Sequence, residues 1–211
     1  MTEEHQSKNK PDRVNLVLYG LIAVLILFGA FVYIRETTHL PPVYEYSNGD
    51  SQFEVRKITD TESQVQFYLN DDPQPYTVTL RYGPRELEDV IFENRDIKQT
   101  ITDDDLVYIT FDPNEELKGE AALAGVEAGK LIANKYFYNI PVKSAVTSEY
   151  DNNTVVSCDN ATKKNTVIWV KKGEETKVSM QDNCILVEGP TESDIVKAAD
   201  RLALYLIGIM P

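Results

Sequence analysis

The chain has two histidines, His5 and His39, and none from Leu40 to Pro211. That excludes a Ser-His-Asp or Cys-His nucleophilic set from the body of the chain. It excludes His-based zinc and non-haem iron sites as well. The two cysteines, Cys158 and Cys184, cannot complete a structural zinc site by themselves. No glycine loop of the P-loop or dinucleotide type is present. What remains is carboxylate chemistry: Asp71-Asp72, Glu88-Asp89, Asp103-Asp104-Asp105, Glu115-Glu116 and Glu174-Glu175. A glycosidase needs two carboxyls facing one cleft, about 5–10 Å apart. Sequence neighbours of this kind read instead as solvated surface. Neither Asn70-Asp71-Asp72 nor Asp103-Asp104-Asp105 has EF-hand spacing, so no metal and no cofactor is expected.

The elements that would position a site follow from periodicity. Leu106 to Phe111 is nearly continuous apolar, as in a strand covered on both faces. Asp112 suits a helix N-cap, Pro113 the first helical position and Glu115 a capping box, which predicts a helix to about Phe137. Ala121, Gly125, Gly129 and Ala133 line one stripe of it, suited to close packing on a sheet. Ile140 to Thr147 is the next strand, so the unit reads as βαβ with a right-handed crossover. Ligands favour the crevice beyond the carboxyl ends of parallel strands. Asp112 and Asn114 after the first strand, with Ser148, Glu149 and Asp151 after the second, are therefore the candidate ligand rim.

Upstream, Phe53–Ile58, Val65–Leu69 and Tyr76–Tyr82 alternate as an antiparallel meander, with a turn at Asn70-Asp71-Asp72-Pro73. Pro84 to Phe92 reads as one short helix. Downstream, Val155–Cys158, Thr166–Lys171 and Thr176–Glu188 read as strands. Lys172-Gly173-Glu174 is expected as a hairpin turn, and Gln181-Asp182-Asn183 as a second turn. Thr191 caps a last helix over Glu192–Ile207, with Ile195, Ala199, Leu202 and Leu206 as its buried face and Gly208 as its C-terminal cap.

Near the start, Val14 to Ile34 carries no charge and is bounded by Arg13 and Arg35. As a helix it spans about 31 Å, close to the thickness of a bilayer core. A soluble core helix rarely runs so far without an amphipathic break. A cleaved signal peptide would need small residues where Phe31-Val32-Tyr33-Ile34 stands. Lys8, Lys10 and Arg13 precede the run and Arg35 alone follows closely, which favours a cytoplasmic N-terminus. The expected organisation is a cytoplasmic tail (1–13), a transmembrane helix (14–34), a spacer with Pro41-Pro42 (35–45) and an extracytoplasmic domain (46–211). Within the domain, 46–100 is mainly β and 104–211 runs βαβ-β-β-α. The fold class is α/β: one N-terminal membrane helix plus a mixed-sheet ectodomain containing a βαβ unit and a C-terminal helix.

Cys158 and Cys184 read as one disulfide; two buried thiols in a reducing compartment are the alternative, and the absence of CxxC argues against a redox pair. Asn152-Asn153-Thr154 and Asn160-Ala161-Thr162 fit the N-glycosylation pattern, at Asn152 and Asn160. A hydrophobic content of 42% with 26% charged residues marks a globular chain, and 211 residues allow one domain plus an anchor. A net charge of −13 argues against nucleic acid as a partner.

Cys158-Asp159-Asn160-Ala161, Thr166-Val167-Ile168-Trp169-Val170, Asn183 to Gly189 and Ala198-Ala199-Asp200-Arg201-Leu202 together resemble a C-terminal unit of uncharacterised small single-pass membrane proteins of archaea. Tyr108 to Pro113 fits the same pattern. The resemblance covers about half of the chain, implies an archaeal surface protein with a paired cysteine, and implies no activity. The expected function is thus a membrane-anchored extracytoplasmic binding or structural protein of the cell envelope, without catalysis. Its expected partners are the lipid bilayer and an envelope or membrane protein. One alternative is a carboxylate-dependent hydrolase of envelope sugars or peptides. Another is an accessory subunit of a membrane complex, docked through Val14–Ile34.

Overall fold

The computed structural model describes residues 13–38, 43–49, 51–69, 73–93, 96–115, 117 and 119–211. The expected tail up to residue 12, the Pro41-Pro42 part of the spacer and the Asn70-Asp71-Asp72 turn lie outside them. The chain divides into two units, Met1–Pro41 and Pro42–Pro211. The first holds one helix, α1 (Arg13–Thr38), in which Asn15–Ile34 is long and apolar enough to cross a membrane. Every side chain from Asn15 to Ile34 is exposed.

The second unit begins with a four-stranded antiparallel sheet: β1 (Val43–Asn48), β2 (Ser51–Thr59), β3 (Glu62–Tyr68) and β4 (Pro75–Leu80), in that spatial order. The expected spacer is therefore too long. Its residues Val43 to Glu45 are already strand, because Tyr44 and Tyr46 alternate inward. Gly49 supports the β1–β2 turn with φ +59°. Val55, Val65 and Val78 lie opposite one another across β2, β3 and β4. With Phe67 and Leu80, Val55 and Val65 give the sheet its buried face.

The other sheet has six strands in the order β5-β9-β10-β8-β6-β7. These are β5 (Ile91–Phe92), β6 (Leu106–Phe111), β7 (Val142–Val146), β8 (Asn165–Lys172), β9 (Lys177–Gln181) and β10 (Cys184–Gly189). All neighbours are parallel except β9 and β10. The expected hairpin at Lys172-Gly173-Glu174 is not formed, since β10 lies between β8 and β9. All six residues of β10 are buried, so this strand needs neighbours on both edges and both faces. Gly173 instead allows a close pass: a Cβ there would sit 2.9 Å from the Glu188 Cβ. The tight turn is the later one, with Asp182 at φ +52°.

Three helices complete the unit: α2 (Ile97–Thr102), α3 (Gly119–Ala133) and α4 (Glu192–Leu206). α3 is the crossover of the expected βαβ unit, but it starts seven residues after Asp112. The capping box fails because the Glu115 carboxylate turns away and accepts from the Lys172 main-chain N–H at 3.0 Å. α3 also ends before Phe137, whose ring packs 5.9 Å from Phe67 of the four-stranded sheet. The expected helix over Pro84–Phe92 is a 3-10 turn (Pro84–Leu87) followed by β5. The expected strand at Val155–Cys158 is a single bridge of Val155 to Val146, followed by a 3-10 turn at Cys158–Asn160.

α4 is capped by Thr191, whose hydroxyl accepts from the Asp194 N–H at 3.2 Å, and Gly208 follows it at φ +78°. It is not buried on one face only. Every residue from Ala198 to Leu204 is buried, so the helix is covered all round. One hydrophobic core joins Val55, Val65 and Leu80 of the first sheet, Leu131, Ala199 and Leu202 of the helices, and Ile168, Ile185 and Val187 of the second sheet. The helices form the middle layer of a sheet–helix–sheet stack.

Candidate functional site

At the carboxyl ends of β6 and β7 the rim is partly assembled. Asn114 donates to Asp112 Oδ1 through its main-chain N–H at 2.9 Å and its Nδ2 at 3.1 Å. The same Nδ2 reaches Ser148 Oγ at 3.0 Å. Asp112, Asn114 and Ser148 thus form one bonded group. It ties the loop after β6 to the loop after β7. Glu149 and Asp151 are exposed on the second loop, Asp151 at φ +50°, and neither bonds to this group among the described residues. Asp112 and Glu115 both spend carboxylate oxygens on main-chain or amide donors. Bonds of this kind hold a turn.

Cys158 and Cys184 form a disulfide, with Cα atoms 5.3 Å apart. It fastens the turn after Val156 to the first residue of β10. Ala145, Val156, Val167, Cys184 and Leu186 form a small core on the sheet face away from α3 and α4, with Tyr108 and Trp169 packed against it. The buried Thr110 hydroxyl donates to the Val156 carbonyl at 2.8 Å. Residues 155–158 thus serve as the lid that no helix supplies on this side. Asn152 and Asn160 are both exposed on the same excursion. Asn160 Oδ1 accepts from the Ser157 N–H at 2.8 Å, closing the 3-10 turn.

Two ionisable groups in the helix layer carry no recognisable sequence signal. Asp200 is fully buried in α4, and its Oδ2 accepts from the Tyr82 main-chain N–H at 2.8 Å. Oδ1 has no hydrogen-bond partner among the described residues. Burial pushes its carboxyl up to about 7, against the pull of the Tyr82 N–H, with the Glu127 charge adding to the rise. Arg201, also buried, lies 4.6 Å from the centre of the Phe92 ring and donates to Pro211 O. Burial lowers its pKa from the ordinary guanidinium value. Among the described residues, no group of three or more His, Cys, Asp or Glu side chains is arranged to hold a metal ion.

An apolar groove of about 470 Å³ lies between α3 and the β6–β7 edge. Gly125, Gly129 and Ala133 of the small-residue stripe line it. A Cβ on Gly125 would stand 3.0 Å from Ile109 Cγ2, and one on Gly129 3.2 Å from Ile109 Cδ1. α3 therefore presses onto β6, as its spacing predicts. Beyond that contact the groove runs on to Val142 and Ser144 of β7, with Val126 of α3 half exposed beside it.

No family model, no curated protein and no solved structure matches this chain.

Proposed function

We propose that this chain is a membrane-anchored binding or structural protein whose second unit stands outside the cytoplasm, in the cell envelope. The observation that carries the reading is the apolar helix Asn15–Ile34, none of whose residues is buried. In water such a surface is far larger than soluble monomers expose; in a bilayer it is at rest. The disulfide supports the second half of the reading, because such bonds persist in oxidising compartments and are rare in the cytosol. The lysines and arginine before the helix agree with it. The Asp112 and Glu115 carboxylates, each accepting from a main-chain N–H, favour recognition over hydrolysis there. An archaeal envelope is the setting suggested by the resemblance of the C-terminal unit.

Two measurements on cells expressing the full chain test this reading. Alkaline carbonate should leave the chain in the membrane pellet. Protease added outside intact cells should digest the 43–211 unit and spare an N-terminal epitope. A chain washed off by carbonate, or a unit digested only after lysis, is the contrary result.

A further inference from the structure

The open edge of β7 and the apolar groove beside it belong together. Val107 N–H donates to the Pro141 carbonyl and Thr147 N–H to the Phe111 carbonyl. In a parallel ladder this turns the main-chain groups of Lys143 and Ala145 toward β6, and those of Val142 and Ser144 outward. At Val146 the outward groups are already taken: its N–H donates to the Thr154 carbonyl at 2.9 Å, and its carbonyl accepts from Val156 N–H at 2.8 Å. The chain thus begins a seventh strand on this edge, a parallel bridge at Val155, and then leaves. Val142 and Ser144 have no such partner among the described residues, so two N–H groups and two carbonyls stand free on a sheet edge.

The groove opens on the same side of the sheet as the side chains of Val142 and Ser144. It is lined by Ile109, Phe111, Gly125, Val126 and Gly129, with Lys130 as its charged member. A residue added in register with Val142 or Ser144 turns its side chain to that same face. Main-chain pairing and apolar burial are therefore offered to one ligand at once. Lys143 is exposed on β7 itself. Lys130 is ion-paired to Glu127 at 3.0 Å, so Lys143, on the face of β7 turned away from the groove, is the lysine left for a ligand's outer side chains.

We propose that β7 and this groove receive an extended segment of a partner polypeptide, added as a strand, apolar at alternate positions and carrying an acidic residue on the face turned away from the groove. An acyl chain fits the groove but leaves the four main-chain groups unpaired. A second copy paired through its own β7 would set the two Lys143 side chains side by side on one face, an unfavourable like-charge contact. An extended partner segment satisfies the edge, the groove and Lys143 together, as in strand-addition recognition generally. The inference names the partner class for the binding role above and rests on that role. It does not rest on which side of a membrane the unit occupies.

The test uses the full chain in lipid nanodiscs and a fluorescent probe peptide, Asp-Val-Thr-Leu-Thr-Val-Asp. Two controls accompany it: the same peptide N-methylated on alternate amides, and an Ala122→Trp variant that fills the exposed side of the groove. Saturable binding is expected, with amide exchange slowed at Val142 and Ser144. N-methylation and Ala122→Trp should each weaken binding at least tenfold, while thermal unfolding shows the variant folded. No saturable binding overturns the proposal. Binding indifferent to N-methylation overturns it by showing a lipid-type groove. Exchange slowed without peptide, in step with protein concentration, overturns it in favour of a second copy. A photo-cross-linking residue at 126 and another at 152, used in cells, separate the two levels. Capture at 152 alone removes this surface and leaves the binding role; capture at neither removes both.

Discussion

The Tyr82 main-chain N–H donates to the buried carboxylate of Asp200 at 2.8 Å. It joins the end of the four-stranded sheet to the middle of α4, across 118 positions of sequence. Its cost is an anion with no solvent. The folded-state pKa of Asp200 is about 7, against 3.8 for the exposed group, and burial is the main cause. The folded state therefore holds a proton that the unfolded state has lost. Stability from this group is full below about pH 4 and is lost as pH rises to about 7. The slope is up to about 1.4 kcal/mol per pH unit. Asp200→Asn keeps an acceptor for Tyr82 and removes the titration. The difference in unfolding free energy between the two proteins, measured by denaturant at pH 5 and pH 7.5, should move toward the variant as pH rises. A pH-independent difference would contradict the assignment.

The disulfide holds the sheet's outer lid, and its loss should be felt there first. Cys158 and Cys184 are 26 positions apart. In the chain-entropy model closing a loop of this size contributes about 3.5 kcal/mol. Replacing both cysteines by serine should destabilise the 43–211 unit by about 2–4 kcal/mol. Exchange of the Val146 and Val156 amides should accelerate more than that of β8. Equal acceleration throughout the sheet would mean that the bond acts only on the unfolded chain.

The meander and the βαβ unit are legible in the sequence because their patterns are local. Val55, Val65 and Val78 sit on alternating strands, and Leu106–Phe111 is a continuous apolar run. β1 is hidden because two prolines precede it and only Tyr44 and Tyr46 mark its inward face. The placement of β10 between β8 and β9 depends on comparing two turns that look alike in sequence. What separates them is a contact of Gly173 with Glu188 across the sheet. α4 misleads for a different reason. Asp200 and Arg201 stand where an outer face is expected, yet both are buried by a second sheet whose position no helical periodicity encodes. At the rim, Asp112, Asn114 and Ser148 are brought together as strand-end logic requires. Glu115 is misplaced in a capping box, because its partner is the Lys172 main-chain N–H and such a partner leaves no mark on residue identity.

Gly125 sets how closely α3 approaches β6. A Cβ at that position stands 3.0 Å from Ile109 Cγ2, so a β-branched side chain must push the helix away. Gly125→Val should destabilise by about 1–3 kcal/mol through overpacking. Ile109→Ala, itself destabilising through a cavity, should recover part of that loss when combined with it. The coupling in the double-mutant cycle should exceed about 0.5 kcal/mol in the compensating direction. Strict additivity would place the strain elsewhere along the helix.

Asn152 and Asn160 report the compartment directly. Both are exposed, and the side-chain bonds to Asn160 among the described residues use Oδ1, not the Nδ2 that carries a glycan. Expressed in a host that N-glycosylates exported domains, the chain should run heavier than its 23.9 kDa. A glycan-removing amidase should restore the lower mass, and so should Asn152→Gln combined with Asn160→Gln. The two single variants should each remove one step, since neither side chain is shielded by the fold. An unmodified chain in that host, with the cysteines open to alkylation without reductant, would place the unit in the cytosol and reverse the topology.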